Sequence, residues 1–361
     1  MMISKRMLLT IYLLAWLSAG CVTDDPSLSG QAHPSVTLMT FNVENLFDTI
    51  DDAGKDDATY LPITKKQSAA HREGCEKIPV ERWRDQCLNY DWNESALEQK
   101  MTALARAILQ IGNGRGPDVV VLQEVENLSV LEQLRTGYLA GAGYRPAILL
   151  EGDDLRGIDV AFLSRLELAG QPTLHSVTHA GFEQSRINDT RGILEATFRL
   201  PDGSLLTGFA VHFPAPFHPY PMREQAYVAL NRFLADLPAG RMAFAAGDFN
   251  TTAPEDAEQD MLGRFVRDKW LVAHEACSAC PGTHYYAPRD DWSFLDMILW
   301  ARPGRGEKAT WRMRAGSSVL VNRAPGQTRP DRTPNRFELP AGTGISDHWP
   351  LAVTIEMVPK Q

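Results

Sequence analysis

Eight short apolar runs punctuate this chain, at residues 36–41, 119–122, 160–163, 193–198, 206–211, 242–246, 294–300 and 351–355. Each is of strand length, and several are bounded by Gly, Pro, Asn or Asp, which reads as β-structure rather than helix. Helical patterns lie between them. The clearest begins at Ser95, where Glu98 completes a capping box. Leu97, Met101, Leu104, Ala105 and Ile108 then form one apolar face, and Gly112 and Gly114 stop it. Residues 222–237 read as a second amphipathic helix. Strands interleaved with helices over 361 residues, 44% of them hydrophobic, imply a layered α/β or α+β domain. No internal repeat or low-complexity linker divides residues 35–358, so one large domain is expected there.

The N-terminus follows different rules. Lys5 and Arg6 precede an apolar run over residues 7–16 that closes on small residues at "LSAGC", the pattern of an export signal and too short for a good membrane span. Leu17, Ser18, Ala19, Gly20 and Cys21 also resemble a bacterial lipoprotein signal. Ser18 stands where an aliphatic residue is usual. Residues 1–20 are therefore expected to be removed, Cys21 to carry lipid, and residues 21–34 to act as a tether. The protein would then sit on the periplasmic or outer-membrane side of a bacterial membrane, as a monomer. Without lipidation it would be periplasmic or secreted.

Four cysteines remain beside Cys21, an even number suited to an oxidising compartment. The plain assignment is two disulfides, Cys75–Cys87 and Cys277–Cys280. The alternative is zinc, because His274, Cys277, Cys280 and His284 have ligand-like spacing. Loss of Lys5 and Arg6 with the signal takes the formal charge from −9 to −11. That argues against a protein that grips nucleic acid through many phosphate contacts. It leaves room for a hydrolase that engages one phosphodiester at a time.

Between the first strand and the first helix lies a polar insertion, about residues 48–93, carrying "DDAGKDD" and the Cys75/Cys87 pair. Its acidic run lacks a full calcium-loop pattern, so it reads as a solvated surface loop.

The polar residues at the strand ends form a set. Asn42 and Glu44 follow "LMTF", Glu124 follows "VVVLQ", His212 follows "GFAV", Asp248 and Asn250 follow "MAFAAG", Asp296 lies in "FLDMIL", and Asp347 and His348 precede "WPLAV". One such residue alone would be a cap or a satisfied core group. Together they offer hard oxygen ligands for Mg²⁺, an anchor for a water nucleophile and donors to a phosphate.

In that order, "TFNVENL", "VVVLQEVEN", "AVHF", "AAGDFN", "FLDMIL" and "SDHWPLAV" resemble the motifs of the endonuclease/exonuclease/phosphatase superfamily, across residues 35–358. The resemblance implies a four-layer sandwich of two mixed β-sheets packed face to face and flanked by helices, as in deoxyribonuclease I. It also implies a Mg²⁺-dependent phosphoric ester hydrolase, with Mn²⁺ as a possible substitute. Glu124 would be the principal metal ligand, with Asn42, Glu44 and Asp347 nearby. The position of Glu44 is Asp in many relatives. Asp248 would orient and deprotonate water, and Asn250 would donate to phosphate. Asp296 would fix the tautomer of His348, and His212 would serve as general acid. Arg191 and Arg156 are weaker candidates for substrate binding, with a surface salt bridge the plain reading of Arg191; Asp159, near Arg156, shares its weak candidacy. The favoured substrate is nucleic acid. A lipid or inositol-phosphate phosphodiesterase, and a binding module without chemistry, are the competing readings.

Overall fold

The computed structural model describes residues 34–304 and 310–358. The export signal, Cys21 and all but the last residue of the tether lie outside the described residues. Strand β1 (Ser35–Leu46) leads into the insertion, which holds helices α1 (Ala69–Glu76) and α2 (Glu81–Asn89). Then come α3 (Glu94–Ile108), β2 (Val119–Val125), β3 (Asp159–Ser164), β4 (Ile193–Arg199) and β5 (Leu205–His212). Helix α4 (Tyr220–Asp236), β6 (Met242–Asp248), β7 (Asp296–Ala301) and β8 (Leu351–Met357) complete the frame. All eight expected runs are strands.

They divide between two mixed sheets. One runs β8-β1-β2-β3, with Trp311–Met313 and Ile148–Leu149 at its edges, and only β1 and β2 are parallel in it. The other runs β7-β6-β5-β4, edged by Trp270–Val272 and Glu167–Leu168, with β5 and β6 its parallel pair. The period-2 alternation of each strand assigns its side chains to different layers. Val119 and Val121 of β2 face the space between the sheets with Phe162, Phe198, Phe244, Ile298 and Val353. Val120 and Leu122 point the other way, against Leu97, Met101, Leu104 and Ile108 of α3. On the far side, Phe209, Ala243, Ala245 and Leu299 pack against Tyr227, Leu230 and Phe233 of α4. Strands apolar on both faces therefore give four layers: helix, sheet, sheet, helix.

Two local expectations are corrected. Helix α3 is capped two residues earlier than at Ser95: Asn93 Oδ1 accepts from Ala96 N, and Glu94 opens the helix. The insertion is not a bare loop. Tyr60 stacks on Phe47 with ring centroids 4.1 Å apart, Trp92 Nε1 donates to the Phe47 carbonyl at 3.1 Å, and the Cys75–Cys87 disulfide joins α1 to α2. Those aromatic rings and the disulfide provide what a polar segment otherwise lacks, an apolar centre of its own. Among the described residues no helix is long and apolar enough to cross a membrane.

Candidate active site

Sheet register explains why residues far apart in sequence meet. His212, Asp248 and Asp296 are side by side on adjacent strands, since His212 of β5 pairs with Asp248 of β6 and Asp248 pairs with Asp296 of β7. In the other sheet Asn42 lies opposite Gln123, which puts Glu124 one residue further along the same edge. The two sheets join there: Asn42 Nδ2 donates to Glu124 Oε1 at 3.3 Å and across the sandwich to Asp248 Oδ2 at 3.1 Å. Asp347 and His348 arrive just ahead of β8.

The backbone is bent to make this edge. Glu44, Asn45, Glu124 and Asn250 all sit in the left-handed region, at φ of 54°, 63°, 65° and 53°. Such conformations are unfavourable for residues with a Cβ and concentrate at functional sites. Gly247 has φ of 150°, and a Cβ on it would lie 1.9 Å from the Val211 carbonyl oxygen. Only glycine lets β6 run this close to β5 just before Asp248.

Hydrogen bonds then fix each side chain. Asp248 Oδ1 accepts from Asn250 N at 2.8 Å, and Asn250 Nδ2 donates to the Phe213 carbonyl at 3.0 Å, which leaves its second amide proton available. His348 Nδ1 lies 2.6 Å from Asp296 Oδ2. The other oxygen of Asp296 is buried without a partner. Glu124 Oε2 accepts from Asn45 N at 3.1 Å.

A family model described as the Endonuclease/Exonuclease/phosphatase family matches residues 39–348, a span that contains every residue just placed. The chain belongs to the endonuclease/exonuclease/phosphatase family. Members are hydrolases of phosphoester bonds and generally use divalent metal ions. No curated protein matches this sequence. Solved structures do. An endonuclease/exonuclease/phosphatase from Bacteroides vulgatus is 17% identical, with TM-score 0.53, over 90% of this chain and 99% of that one. A TDP2 of D. rerio, humanised by 14 mutations, is 15% identical with TM-score 0.52, over 90% and 99%. A family member from Beutenbergia cavernae is 16% identical with TM-score 0.52, over 90% and 72%. At such identities the likeness is one of fold: two mixed sheets with flanking helices, as in deoxyribonuclease I.

The electrostatics separate the two site histidines. Burial works against a charge on His348, yet Asp296, Asp347 and Asp248 hold its pKa well above the ordinary value. His212 is pushed the other way, by burial and then by Arg191, Arg156 and His348. Its Nε2 lies 3.7 Å from Asp248 Oδ2 and 4.0 Å from Glu124 Oε1. These surroundings favour a neutral His212 and a charged His348 in the free protein. Burial, followed by the nearby Asp296 charge, lifts Asp248 to about 7, a value suited to taking a proton near neutrality.

Other expected residues take different places. Glu44 is anchored, with its oxygens accepting from Arg336 Nε, Phe337 N and Asp347 N. It holds the Arg336–Asp347 pair, 3.2 Å apart, so Glu44 and Asp347 share one guanidinium, and Glu124 is the carboxylate of the set without a cationic partner among the described residues. Arg191 does not make the surface bridge expected of it. It is buried in a 3.0 Å pair with Asp154 and also donates to the carbonyls of Asp189 and Phe213. Arg156 does stay at the site, donating to Asn45 Oδ1 at 2.9 Å. The zinc alternative fails: Cys277 and Cys280 are joined as a disulfide, His274 stacks on Phe294, and His284 lies beside His348.

A cleft of about 820 Å³ opens on Glu124, Asp347 and His348, and the insertion supplies much of its wall through Tyr60, Trp83 and Tyr90, with Phe217 opposite. Sequence reasoning missed Asn45, Arg336 and Lys100, and it read His284 only as a zinc ligand. Arg336 stands in "TPNRFELP", which carries no motif. Lys100 had a legible signal, a charge inside the apolar stripe of α3. It is buried, and its Nζ donates to the Ile345 carbonyl at 2.7 Å, bracing the turn before Asp347.

The residues present fit a hard divalent cation. Glu124 accepts only amide N–H groups and no Lys or Arg pairs with it among the described residues, which leaves its carboxylate, a hard oxygen ligand, free of a competing cation.

Proposed function

We propose that this protein is an exported, Mg²⁺-dependent phosphodiesterase acting on nucleic acid, with Mn²⁺ able to replace Mg²⁺. The observation that carries the reading is the meeting of Asn42, Glu124, Asp248 and the His348–Asp296 pair at one edge of the sandwich, where Glu124 and His348 open on an aromatic-walled cleft. Glu124, with Asp347 and Asn42 beside it, would hold the ion. Such an ion, when bound, offsets charge on the phosphoryl oxygens. Asp248, oriented by Asn250 N and Asn42 Nδ2, positions a water for in-line attack and takes its proton. Asn250 donates its remaining amide proton to a phosphate oxygen. His348, charged and held in one tautomer by Asp296, donates toward the leaving oxygen. His212, neutral, stands between Asp248 and Glu124, 3.7 Å and 4.0 Å from their carboxylate oxygens.

Exposed aromatic rings favour nucleic acid as substrate. Trp83 and Phe217 are 55% and 64% exposed at the cleft rim, and bases stack on such rings without sequence preference. The decisive assay offers residues 22–361 plasmid DNA, RNA, sphingomyelin and inositol phosphates, with Mg²⁺, Mn²⁺ or EDTA. Cleavage of DNA or RNA that stops in EDTA supports the reading. Turnover of only the lipid or inositol esters would move the substrate to that class, and metal-independent turnover would overturn the mechanism.

Export and lipidation rest on the charged, apolar and "LSAGC" segments and are supported by two disulfides, which suit an oxidising compartment. Cys21→Ser is expected to move the protein from the membrane fraction to the soluble fraction at unchanged specific activity. Persistence in the membrane fraction would contradict the lipid anchor.

A further inference from the structure

At the root of the insertion, outside the candidate active site, three carboxylates converge. A donor oxygen of each of Asp52, Asp57 and Glu126 lies within 4.8 Å of those of the other two. Asp57 is 1% exposed and Glu126 3%, yet Asp57 Oδ1 and Glu126 Oε1 have no hydrogen-bond partner among the described residues. The remaining oxygens are satisfied locally: Asp57 Oδ2 accepts from Asp52 N at 2.8 Å, and Glu126 Oε2 from Asp48 N at 2.6 Å and Asn127 Nδ2 at 3.2 Å. No Lys or Arg among the described residues pairs with any of the three. The lysine within the acidic run, Lys55, spends its ammonium on the carbonyls of Gly152 and Asp154.

Buried carboxylate oxygens facing one another with neither donor nor cation are strongly unfavourable. We propose that Asp52, Asp57 and Glu126 form a structural Ca²⁺ site that fastens the insertion to the end of β2. An all-oxygen donor set selects a hard ion and disfavours zinc or copper. Calcium suits it better than magnesium, because the ligands come from an irregular loop and a strand end and need not form an octahedron. Beside Asp52 a shallow cavity of about 460 Å³, bordered by Asn127, Ser129 and Glu151, gives room for waters to complete the shell. Glu126 stands two residues beyond Glu124, and its N–H donates to the Leu46 carbonyl at 3.0 Å. An ion here would thus fix the C-terminal end of the parallel strand pair that carries Asn42 and Glu124, as well as the start of the insertion.

The test is thermal unfolding and calorimetric titration with Ca²⁺ alone, on the full chain, in three proteins: wild type, Glu124→Gln and the double variant Asp52→Asn/Asp57→Asn. Calcium at a hundredfold excess over its dissociation constant should raise the melting temperature by about 4 °C, in wild type and in Glu124→Gln alike. In the double variant the rise should vanish, while its melting temperature in EDTA equals or exceeds that of wild type because a repulsion has been removed. Asp52→Asn alone, at a partly exposed position, should weaken Ca²⁺ affinity at least tenfold and guards against a folding defect in the pair. Absence of any rise in wild type, or an undiminished rise in the double variant, would overturn the site. A larger rise with Mg²⁺ than with Ca²⁺ in Glu124→Gln would overturn the choice of calcium.

Discussion

His348 lies against Asp296 and Asp347 and His212 against Asp248 and Glu124, and their environments drive their pKa values apart. Asp296 is the cause on one side: it touches His348 at 2.6 Å and lies only near His212 through Asp248. A group held protonated next to one held neutral is how a site assigns proton donor and spectator at one pH. The expected outcome is a leaving-group test. His348→Ala should slow an alkyl phosphodiester on the order of 10²-fold more than a p-nitrophenyl ester, which needs no proton on leaving. His212→Ala should slow the two esters by similar factors. The reverse pattern, read from kcat/KM on both substrates, would restore His212 as the donor. Most of this residue-level site was legible in sequence, because "LQE", "GDFN" and "SDH" place their polar groups at fixed offsets from strand ends. What escaped was the partner of each group. Arg336 and Asn45 depend on the path of the loop at 335–347 and on left-handed turns at Glu44 and Glu124, which no local pattern encodes.

Elements carry the site by register, so a charge inside a strand shows what the sheet tolerates. Asp159 at the start of β3 is buried, accepts from Gly152 N at 3.1 Å, and is pushed by burial up to about 7 from 3.8. The folded chain therefore keeps a proton there that the unfolded chain releases above pH 4. Stability contributed at this position is present below the unfolded value and is lost as pH rises through about 7. Asp159→Asn, which keeps an oxygen acceptor without the charge, should lose less stability than wild type between pH 5 and 8, by about 1 kcal/mol or more. Denaturant melts at the two pH values measure it, and parallel losses would show that Asp159 ionises freely. The elements themselves were largely readable: eight apolar runs became eight strands, because each run is of strand length and mostly buried. The insertion was not. Its order depends on Tyr60, Tyr90 and Trp92 finding Phe47 and one another, contacts that a polar average over residues 48–93 conceals.

On the scale of the whole molecule, a formal charge of −9 sets how substrate is held. The cleft offers Arg82, Arg156 and Arg336 and no extended basic face borders it in sequence. Each neutralised phosphate contributes about 0.9 to the salt slope, so log(1/KM) for DNA should fall against log salt with a slope of about −1 to −3. A slope steeper than about −5 would mean a broad electrostatic footprint that this fold does not present. The most direct test of the account is the turnover of bis-p-nitrophenyl phosphate by wild type and Asp248→Asn, each with Mg²⁺ and with EDTA, alongside a melting curve. The account predicts metal-restored turnover in wild type, a loss of about 10²–10³-fold or more in Asp248→Asn, and an intact cooperative melt in both. Full turnover by Asp248→Asn in Mg²⁺ would contradict it.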